Sequence, residues 1–366
     1  MPMKVAVACG GTGGHVFPGL AVAKALRKRG HRVSLWVGGR DVEGVSLGNW
    51  DGPVTRIVCS GFPDGLSWRA LKTTFVLLKA FWVCRRIMRR DRPDAVVGMG
   101  GYASVGPACA AKSLGIPVIL HEANAVPGRA ISFLSRLAHA VAVSFGGTAE
   151  HLRGARTVLT GFPVRDDLNG ARLGQPLAPG TFTVLVTGGS QGAHKLNEVV
   201  SSALCALRAR GESLQVVHLT GSADESLVRE KYASAGVPHV VRAFLEDMGR
   251  AYHSADLAIT RAGAGTCAEL AACGVPALLV PLPSARRNHQ MANAQDLMAK
   301  GGADVIGEKA LTSEWLADYV HAALTNPGKL AGMKKALGSL PAAGAAERIA
   351  DLVEESARVA GPGEHP

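Results

Sequence analysis

The sequence predicts an α/β protein of two similar halves, each a parallel sheet with crossover helices, and three observations carry that prediction. Short apolar runs alternate with helical stretches along the chain, at residues 5–9, 32–37, 95–98, 118–121, 140–144, 183–187, 214–219, 240–243, 257–260 and 277–280. Such alternation is the pattern of strands joined by helices in a parallel sheet. An apolar run that breaks into glycines and then a helix occurs twice. Residues 5–9 lead into Gly10-Gly-Thr-Gly-Gly-His15, and Phe182-Thr-Val-Leu-Val-Thr187 leads into Gly188-Gly-Ser-Gln-Gly-Ala193. Turn residues, Gly161-Phe-Pro163, separate the two copies. The expected division is 1–162 and 163–341, with a last helix over about 342–360 placed to pack back on the first half. The Gly-, Pro- and Ala-rich stretch 170–180 reads as a surface excursion of the second half.

Composition narrows the class. Hydrophobic residues make up 47% of the 366 and aromatics only 5%, so the cores must be built mainly from Ala, Val and Leu. A net charge of +11 favours polyanionic partners: nucleic acid, an anionic membrane or phosphorylated substrates. Seven cysteines form no CxxC pair, and an odd count argues against a disulfide framework. They read as reduced, buried and cytosolic. Residues 5–9 are too short for a signal peptide, and no stretch approaches the roughly 18 apolar residues of a membrane span.

The glycine loops carry the first chemistry. Glycine lets the chain turn sharply and approach a ligand closely. The helix that opens behind it points unpaired N–H groups and the positive end of its dipole at an anion, most naturally a phosphate or diphosphate. The competing reading is a tight strand-to-helix turn with no ligand. Ser190 adds a hydroxyl to the second loop, as a ligand group or simply as a helix cap. His15 is the best candidate base: near a helix start its imidazolium is disfavoured, so the ring stays neutral and can accept a proton. A third strand–glycine–helix cluster, Thr260-Arg-Ala-Gly-Ala-Gly-Thr266 followed by Cys267-Ala-Glu269, places Glu269 near a helix N-terminus. There it reads as an acceptor for ribose hydroxyls or as a solvated first-turn carboxylate. His121-Glu-Ala-Asn124 ends an apolar strand and offers Glu122 as a second candidate catalytic group and Asn124 as a polar contact. Asn288-His-Gln290 occupies the corresponding position after Pro281-Leu-Pro283. Arg165, at the proposed boundary, reads as a diphosphate ligand or a surface arginine. The sequence carries no DxD, HExxH or paired CxxC, so no metal or other cofactor is expected, and helix ends with arginine must stabilise a leaving diphosphate.

Residues 68–90 differ from the rest. They carry seven basic residues and no acid. Leu71, Phe75, Leu78 and Trp82 recur at helical spacing, flanked by Arg85 and Arg86. This reads as an amphipathic helix for an anionic membrane surface, or as a crossover helix whose stripe packs on the sheet. Hydride transfer is disfavoured, because the first loop lacks the G-x-G-x-x-G order and the second strand ends Gly38-Gly39-Arg40 without an acid. No nucleic acid is expected as a partner: few aromatics are available for base stacking. A nucleotide-diphosphate sugar on the second half, with a membrane-borne acceptor over the first, accounts for all these features.

Taken together the stretches Gly10-Gly-Thr-Gly-Gly-His15-Val-Phe-Pro-Gly19, Gly100-Gly-Tyr102, His121-Glu-Ala-Asn124, Gly161-Phe-Pro-Val-Arg165, Gly188-Gly-Ser-Gln-Gly-Ala193, 261–269 and Asn288-His-Gln290 resemble the MurG-type transferases. The resemblance implies a GT-B glycosyltransferase fold, two Rossmann-like doubly wound domains facing a cleft. It implies inverting transfer of N-acetylglucosamine from UDP-N-acetylglucosamine to the 4-hydroxyl of lipid-linked muramyl pentapeptide. A UDP-N-acetylglucosamine epimerase, or another UDP-sugar-dependent lipid glycosyltransferase, is the alternative. Carried over by motif, Thr12, Gly13, Gly14 and Asn124 line the donor side, and Arg165 and Ser190 meet the diphosphate. Leu245 offers backbone to uracil. Ala264, Gly265, Thr266, Cys267, Ala268 and Glu269 hold sugar and ribose, and Gln290 touches the sugar. The implied setting is the cytoplasmic face of the bacterial cell membrane, bound peripherally, with other cell-wall synthesis proteins as candidate partners. Two arginines, Arg286 and Arg287, stand before Asn288 where the resemblance implies less charge.

Overall fold

The structure is a computed structural model that describes residues 1–11, 13–38, 50–59, 61, 68–165, 168, 170–174, 176–189, 192–340 and 344–359. The chain divides into two compact units, residues 1–165 with the segment from 343, and residues 166–342. In chain order the N-terminal unit contains β1 (Lys4–Gly10), α1 (Gly13–Lys28), β2 (Arg32–Gly38), β3 (Val54–Ile57), α2 (Trp68–Arg90), β4 (Ala95–Gly98), α3 (Val105–Ser113), β5 (Val118–Glu122), α4 (Arg129–Leu134), β6 (Ala140–Val143) and β7 (Thr157–Leu159). The C-terminal unit contains β8 (Phe182–Thr187), α5 (His194–Ala209), β9 (Leu214–Leu219), α6 (Glu225–Ser234), β10 (His239–Arg242), α7 (Met248–Ser254), β11 (Leu257–Thr260), α8 (Ala264–Cys273), β12 (Ala277–Leu279), α9 (His289–Ala299), β13 (Ala303–Val305), α10 (Ser313–Thr325) and α11 (Pro327–Gly338). The last helix, α12 (Ala345–Val359), belongs to the N-terminal unit.

All described strand pairs are parallel. The strand orders are β3-β2-β1-β4-β5-β6-β7 and β10-β9-β8-β11-β12-β13. Each is the doubly wound order in which the chain starts at the centre and reverses direction once. The reversal leaves a crevice at the carboxyl ends of β1 and β4, and of β8 and β11, where ligands of such sheets bind. Both glycine loops follow the first strand of their sheet, so the topology puts them at these crevices.

β1 shows why an Ala/Val-rich sequence suffices. Successive side chains alternate between faces. Val5, Val7 and Cys9 enter a core with Val22 and Leu26 of α1 and Ile349, Leu352 and Val353 of α12. Ala6 and Ala8 face the other core, with Ala80, Cys84 and Met88 of α2 and Ala108 and Ala111 of α3. Small residues let those helices approach: a Cβ on Gly106 of α3 would stand 3.0 Å from Ala80 Cβ. The second unit fills its core with Val184 and Val186 of β8, Leu196, Val200 and Leu204 of α5, and Leu316 and Val320 of α10.

Three short edge strands, β3, β7 and β13, escape sequence reasoning. They are three or four residues long, and β3 buries only Ile57, so no apolar run announces them. The described residues of the stretch 170–180 lie mostly at the surface and are tied to the second unit. Leu173 N–H donates to Ser254 Oγ (2.7 Å), Ala178 N–H donates to Gln215 Oε1 (2.9 Å), and Leu177 is buried. All seven cysteines are unpaired. Burial pushes the thiols of Cys9, Cys84 and Cys267 up to about 12.

Helix α2 has two apolar faces. Thr73, Ala80, Cys84 and Met88 point inward. Leu71, Phe75, Leu78 and Trp82 point outward and are 64%, 70%, 54% and 62% exposed. The stripe that sequence identified is therefore the solvent-facing one. Arg85 is half-buried: its Nε donates to Ser113 Oγ (3.0 Å), and its guanidinium lies 5.8 Å from the Trp82 ring. Among the described residues no helix is long and apolar enough to cross a membrane.

Candidate active site

In the N-terminal unit three strand ends converge on His15. It is the third residue of α1, within the first turn. Its ring lies flat on the turn after β4. A Cβ on Gly100 would sit 3.0 Å from His15 Cε1, and one on Gly101 would sit 3.2 Å from His15 Cδ2. Both glycines have positive φ (97° and 66°), so glycine is required there for conformation and for space. Burial lowers the imidazole below its ordinary value, while the Met99 backbone carbonyl pulls it partly back. Pro18 has no N–H and so makes no ladder bond to the Gly14 carbonyl. Gly13 and Gly14 open α1 as exposed backbone.

The end of β5 is organised around Glu122, which is buried. Its Oε1 accepts from Asn124 N–H (2.9 Å) and Asn124 Nδ2 (3.2 Å), and its Oε2 accepts from Gly128 N–H (2.9 Å). Burial raises its pKa and these hydrogen bonds oppose the rise. The carboxylate thus folds the loop that presents Asn124. His121 is fully buried, bonded to Ser144 Oγ (3.1 Å) and edge-on to Phe162. Desolvation first, and the nearby His15 second, push it down to about 3, so it stays neutral. Arg165 is half-buried, its guanidinium 5.2 Å from the ring of Phe17 in α1.

In the C-terminal unit the turn after β8 is equally tight. Gly192 has φ 75°, and a Cβ there would fall 2.0 Å from the Thr220 carbonyl oxygen. Gly192→Ala is expected to cost about 3 kcal/mol, combining overpacking with left-handed strain. A urea melt of the variant checks this; an unchanged midpoint would show that the turn is not constrained. Behind the loop lies a polar network that sequence reasoning missed. Asp224 accepts from His194 Nδ1 (2.9 Å) and Asn197 Nδ2 (2.7 Å). Asn197 Oδ1 bonds His218 Nε2 (3.1 Å), and His218 Nδ1 bonds Tyr232 OH (2.9 Å). His194 and Asn197 come from α5, His218 from β9, and Asp224 and Tyr232 from α6 and its N-cap, so only the fold brings the three elements together.

Helix α8 starts at Ala264 with Gly263 as N-cap and no side-chain cap. Its first N–H groups therefore have no intrahelical partner. Glu269 is the sixth residue of α8, so it is not a first-turn carboxylate, and the helix dipole, whose effect decays within the first turn, does little for it. Tyr252 of α7 holds it instead, its hydroxyl donating to Glu269 Oε2 (2.8 Å). Gly265, Thr266 and Ala268 are half-buried along the start of the helix. Ala264 and Cys267 are buried, and the Cys267 N–H bonds the Gly263 carbonyl (2.9 Å), so Cys267 contributes packing rather than contact. Arg261 is nearly buried, paired with Glu308 and donating to the Val280 carbonyl (3.2 Å). Leu245 lies in the loop after β10, half-buried beside exposed Phe244. Gln290 Oε1 accepts from Leu282 N–H (2.9 Å) at the start of α9. Arg287 and Asn288 just before it both have φ 54°, left-handed backbone that non-glycine residues adopt only under constraint. Thr12 and Ser190 lie outside the described residues. Among the described residues no group of three or more His, Cys, Asp or Glu converges to hold a metal ion.

Two doubly wound sheets, each with a glycine turn after its first strand, and an uncapped helix start at α8 make the two Rossmann-like units of a GT-B fold. The chain belongs to glycosyltransferase family 28: residues 5–143 match the family's N-terminal domain and residues 183–352 its C-terminal domain. It is 41% identical, over 98% of its length and 99% of the relative's, to the UDP-N-acetylglucosamine–N-acetylmuramyl-(pentapeptide) pyrophosphoryl-undecaprenol N-acetylglucosamine transferase of Cupriavidus necator. The crystal structure of Acinetobacter baumannii MurG superposes with a TM-score of 0.77 at 34% identity, covering 97% of this chain and all of that one. A UDP-N-acetylglucosamine 2-epimerase shares the fold alone, with a TM-score of 0.64 at 15% identity over 95% of both chains.

Proposed function

We propose that the protein transfers N-acetylglucosamine from UDP-N-acetylglucosamine to the 4-hydroxyl of lipid-linked muramyl pentapeptide, giving lipid II for peptidoglycan synthesis. The near-full-length likeness to transferases named for this reaction supports it. The observation that carries it is the donor half-site: the uncapped start of α8 and the Tyr252-held carboxylate of Glu269, on the same sheet as the glycine turn after β8. Helix starts meet the diphosphate, and the carboxylate meets the ribose hydroxyls.

In this reading the muramyl hydroxyl attacks the anomeric carbon from the face opposite UDP. The new C–O bond forms as the bond to the diphosphate breaks, so the configuration inverts. His15 takes the hydroxyl proton, and UDP departs with the bonding pair. Arg165 and the backbone around Ser190 meet the charge that develops on the diphosphate, with no metal ion or other cofactor. Thr12, Gly13, Gly14 and Asn124 offer backbone and polar groups to the reacting sugars, with Glu122 positioning Asn124. Leu245 presents backbone to uracil, Gly265, Thr266 and Ala268 line the sugar, and Gln290 contacts it. The exposed face of α2 lies on an anionic membrane surface, which places the protein peripherally at the cytoplasmic face and brings it to its lipid-borne acceptor.

The test is incubation with labelled UDP-N-acetylglucosamine and a lipid-linked muramyl acceptor: label must appear in the lipid fraction, and epimerised UDP-sugar in its place would refute the transfer. UDP, and not NAD, should raise the melting temperature. Glu269→Ala should weaken UDP binding by about ten- to a hundredfold, the cost of losing charged hydrogen bonds to the ribose. Titration calorimetry reads this, and an unchanged affinity would remove Glu269 from the nucleotide site.

A further inference from the structure

We infer that His218 is a positioning residue for the diphosphate: held in one tautomer by Tyr232, it orients the Asn197 amide, which seats the Thr220 carbonyl against the glycine turn after β8. The inference rests on the donor reading above, in which that turn meets the diphosphate, and deepens it.

His218 is a buried, titratable group that the reaction itself does not use. It stands on β9 with no exposed surface, and Asn197 and Tyr232 beside it are buried as well. The direction of each hydrogen bond follows from what each group can do. Asn197 Nδ2 donates to two acceptors, the Thr220 carbonyl (2.9 Å) and the Asp224 carboxylate at Oδ2 (2.7 Å). The other end of that side chain is therefore the amide oxygen, which only accepts. His218 Nε2, 3.1 Å from it, must carry the hydrogen. Burial, opposed by the Asp224 charge, pushes the imidazole down to about 3, so the ring has a single N–H. Nδ1 is left to accept from the Tyr232 hydroxyl (2.9 Å), and burial raises that phenol, which keeps its proton. One tautomer completes the chain of bonds, and the other breaks it at both ends.

The chain of bonds ends on the glycine turn. Thr220 follows β9, and its N–H donates to the Arg242 carbonyl (3.0 Å). Its own carbonyl lies so near Gly192 that a Cβ there would fall 2.0 Å from the oxygen. Gly192 N–H in turn donates to the Gly189 carbonyl (3.0 Å), and α5 starts two residues later. Asn197 is the fourth residue of α5, so one side chain ties the start of that helix to the end of β9. It also sets the tilt of the carbonyl on which Gly192 rests. Released from the amide, a buried carbonyl must find another donor, and the backbone of the turn moves with it. In the donor reading, uracil and ribose belong to Leu245 and Glu269, on other loops. A loosened turn therefore costs affinity for the diphosphate and spares the nucleoside.

The experiment titrates UDP and uridine into the full-length protein and into His218→Gln, His218→Asn, His218→Phe and Tyr232→Phe. A glutamine puts its amide nitrogen near the Nε2 position of a histidine and an asparagine near Nδ1, so only the first can donate to Asn197. His218→Asn and His218→Phe should weaken UDP by about tenfold, the cost of leaving a buried polar group unpaired, and change uridine by less than about twofold. His218→Gln should recover most of the loss. Tyr232→Phe, which removes the bond that selects the tautomer, should weaken UDP by about threefold. Long-range ¹H–¹⁵N correlation on the wild type, with His218 assigned by its contact with the Tyr232 ring, should show hydrogen on Nε2 and none on Nδ1, unchanged from about pH 5 to about pH 8. Should the histidine variants not fold, that spectrum and Tyr232→Phe decide. Hydrogen on Nδ1, a ring that titrates in this range, equal losses for UDP and uridine, or a His218→Gln no better than His218→Asn overturns the inference while the donor reading stands. A wild type that binds uridine as tightly as UDP overturns both.

Discussion

Replacing His15 with alanine is expected to lower kcat by about 10²- to 10⁴-fold, the range for losing a positioned general base, while UDP affinity stays near wild type. The ring is sequestered at the first turn of α1 on two glycines that leave no room for a side chain. Its lowered pKa gives the effect a pH signature. Burial disfavours the protonated ring, so the unprotonated, proton-accepting form persists below the ordinary histidine value of 6.5. The acid limb of kcat/KM for the wild type should therefore fall below that value and be missing from His15→Ala. Gly100→Ala, whose Cβ would press on His15 Cε1, should move the ring and reproduce much of the kcat loss. Equal losses of UDP binding and turnover in His15→Ala would remove His15 from the base role.

The second large effect concerns α2. Phe75→Asp with Trp82→Asp should reduce binding to anionic phospholipid vesicles by at least about 10²-fold, since each large apolar side chain is worth about 1.5–3 kcal/mol on burial. Reversing the charge of Arg86, Arg89 and Arg90 should act similarly, at about 1 kcal/mol for each basic residue lost near the surface. Arg85 is left out because its bond to Ser113 and its place over Trp82 tie it to the fold. The inward face of Thr73, Ala80, Cys84 and Met88 is untouched in these variants, so thermal stability should hold. Co-sedimentation with vesicles is the measurement. Binding that survives both sets of substitutions would mean that the exposed face serves something other than a membrane.

Much of the fold was legible in the sequence because its signals are local. The ten anticipated strands are apolar runs bounded by turn residues, and the glycine loops mark the switch points of both sheets. The edge strands were not legible, since three or four residues that bury little leave no pattern. The site was legible by residue and less so by partner. His15, Asn124 and Glu269 could be named from motifs. That Tyr252 holds Glu269 and that Asp224 gathers His194 and Asn197 depend on contacts between separate elements, and that Glu122 is committed to Asn124 and Gly128 depends on how the loop after β5 folds back on its strand. A glutamate near a helix start reads the same from sequence in the first turn or the second, and that one turn decides whether the dipole reaches its carboxylate.

Helix α12 has a bearing on how the molecule is made. Ile349, Leu352 and Val353 complete the core that Val22 and Leu26 begin, Arg29 pairs with Asp351 and Glu354, and Arg348 Nε donates to the Thr160 carbonyl (2.8 Å). The first sheet to leave the ribosome therefore waits for the last helix, with one flank bare while nearly 200 further residues are translated. The unit encoded in the middle is finished before the unit encoded first, contrary to the usual N-to-C order. A stop codon that removes only α12 would strip the opening domain rather than trim the closing one.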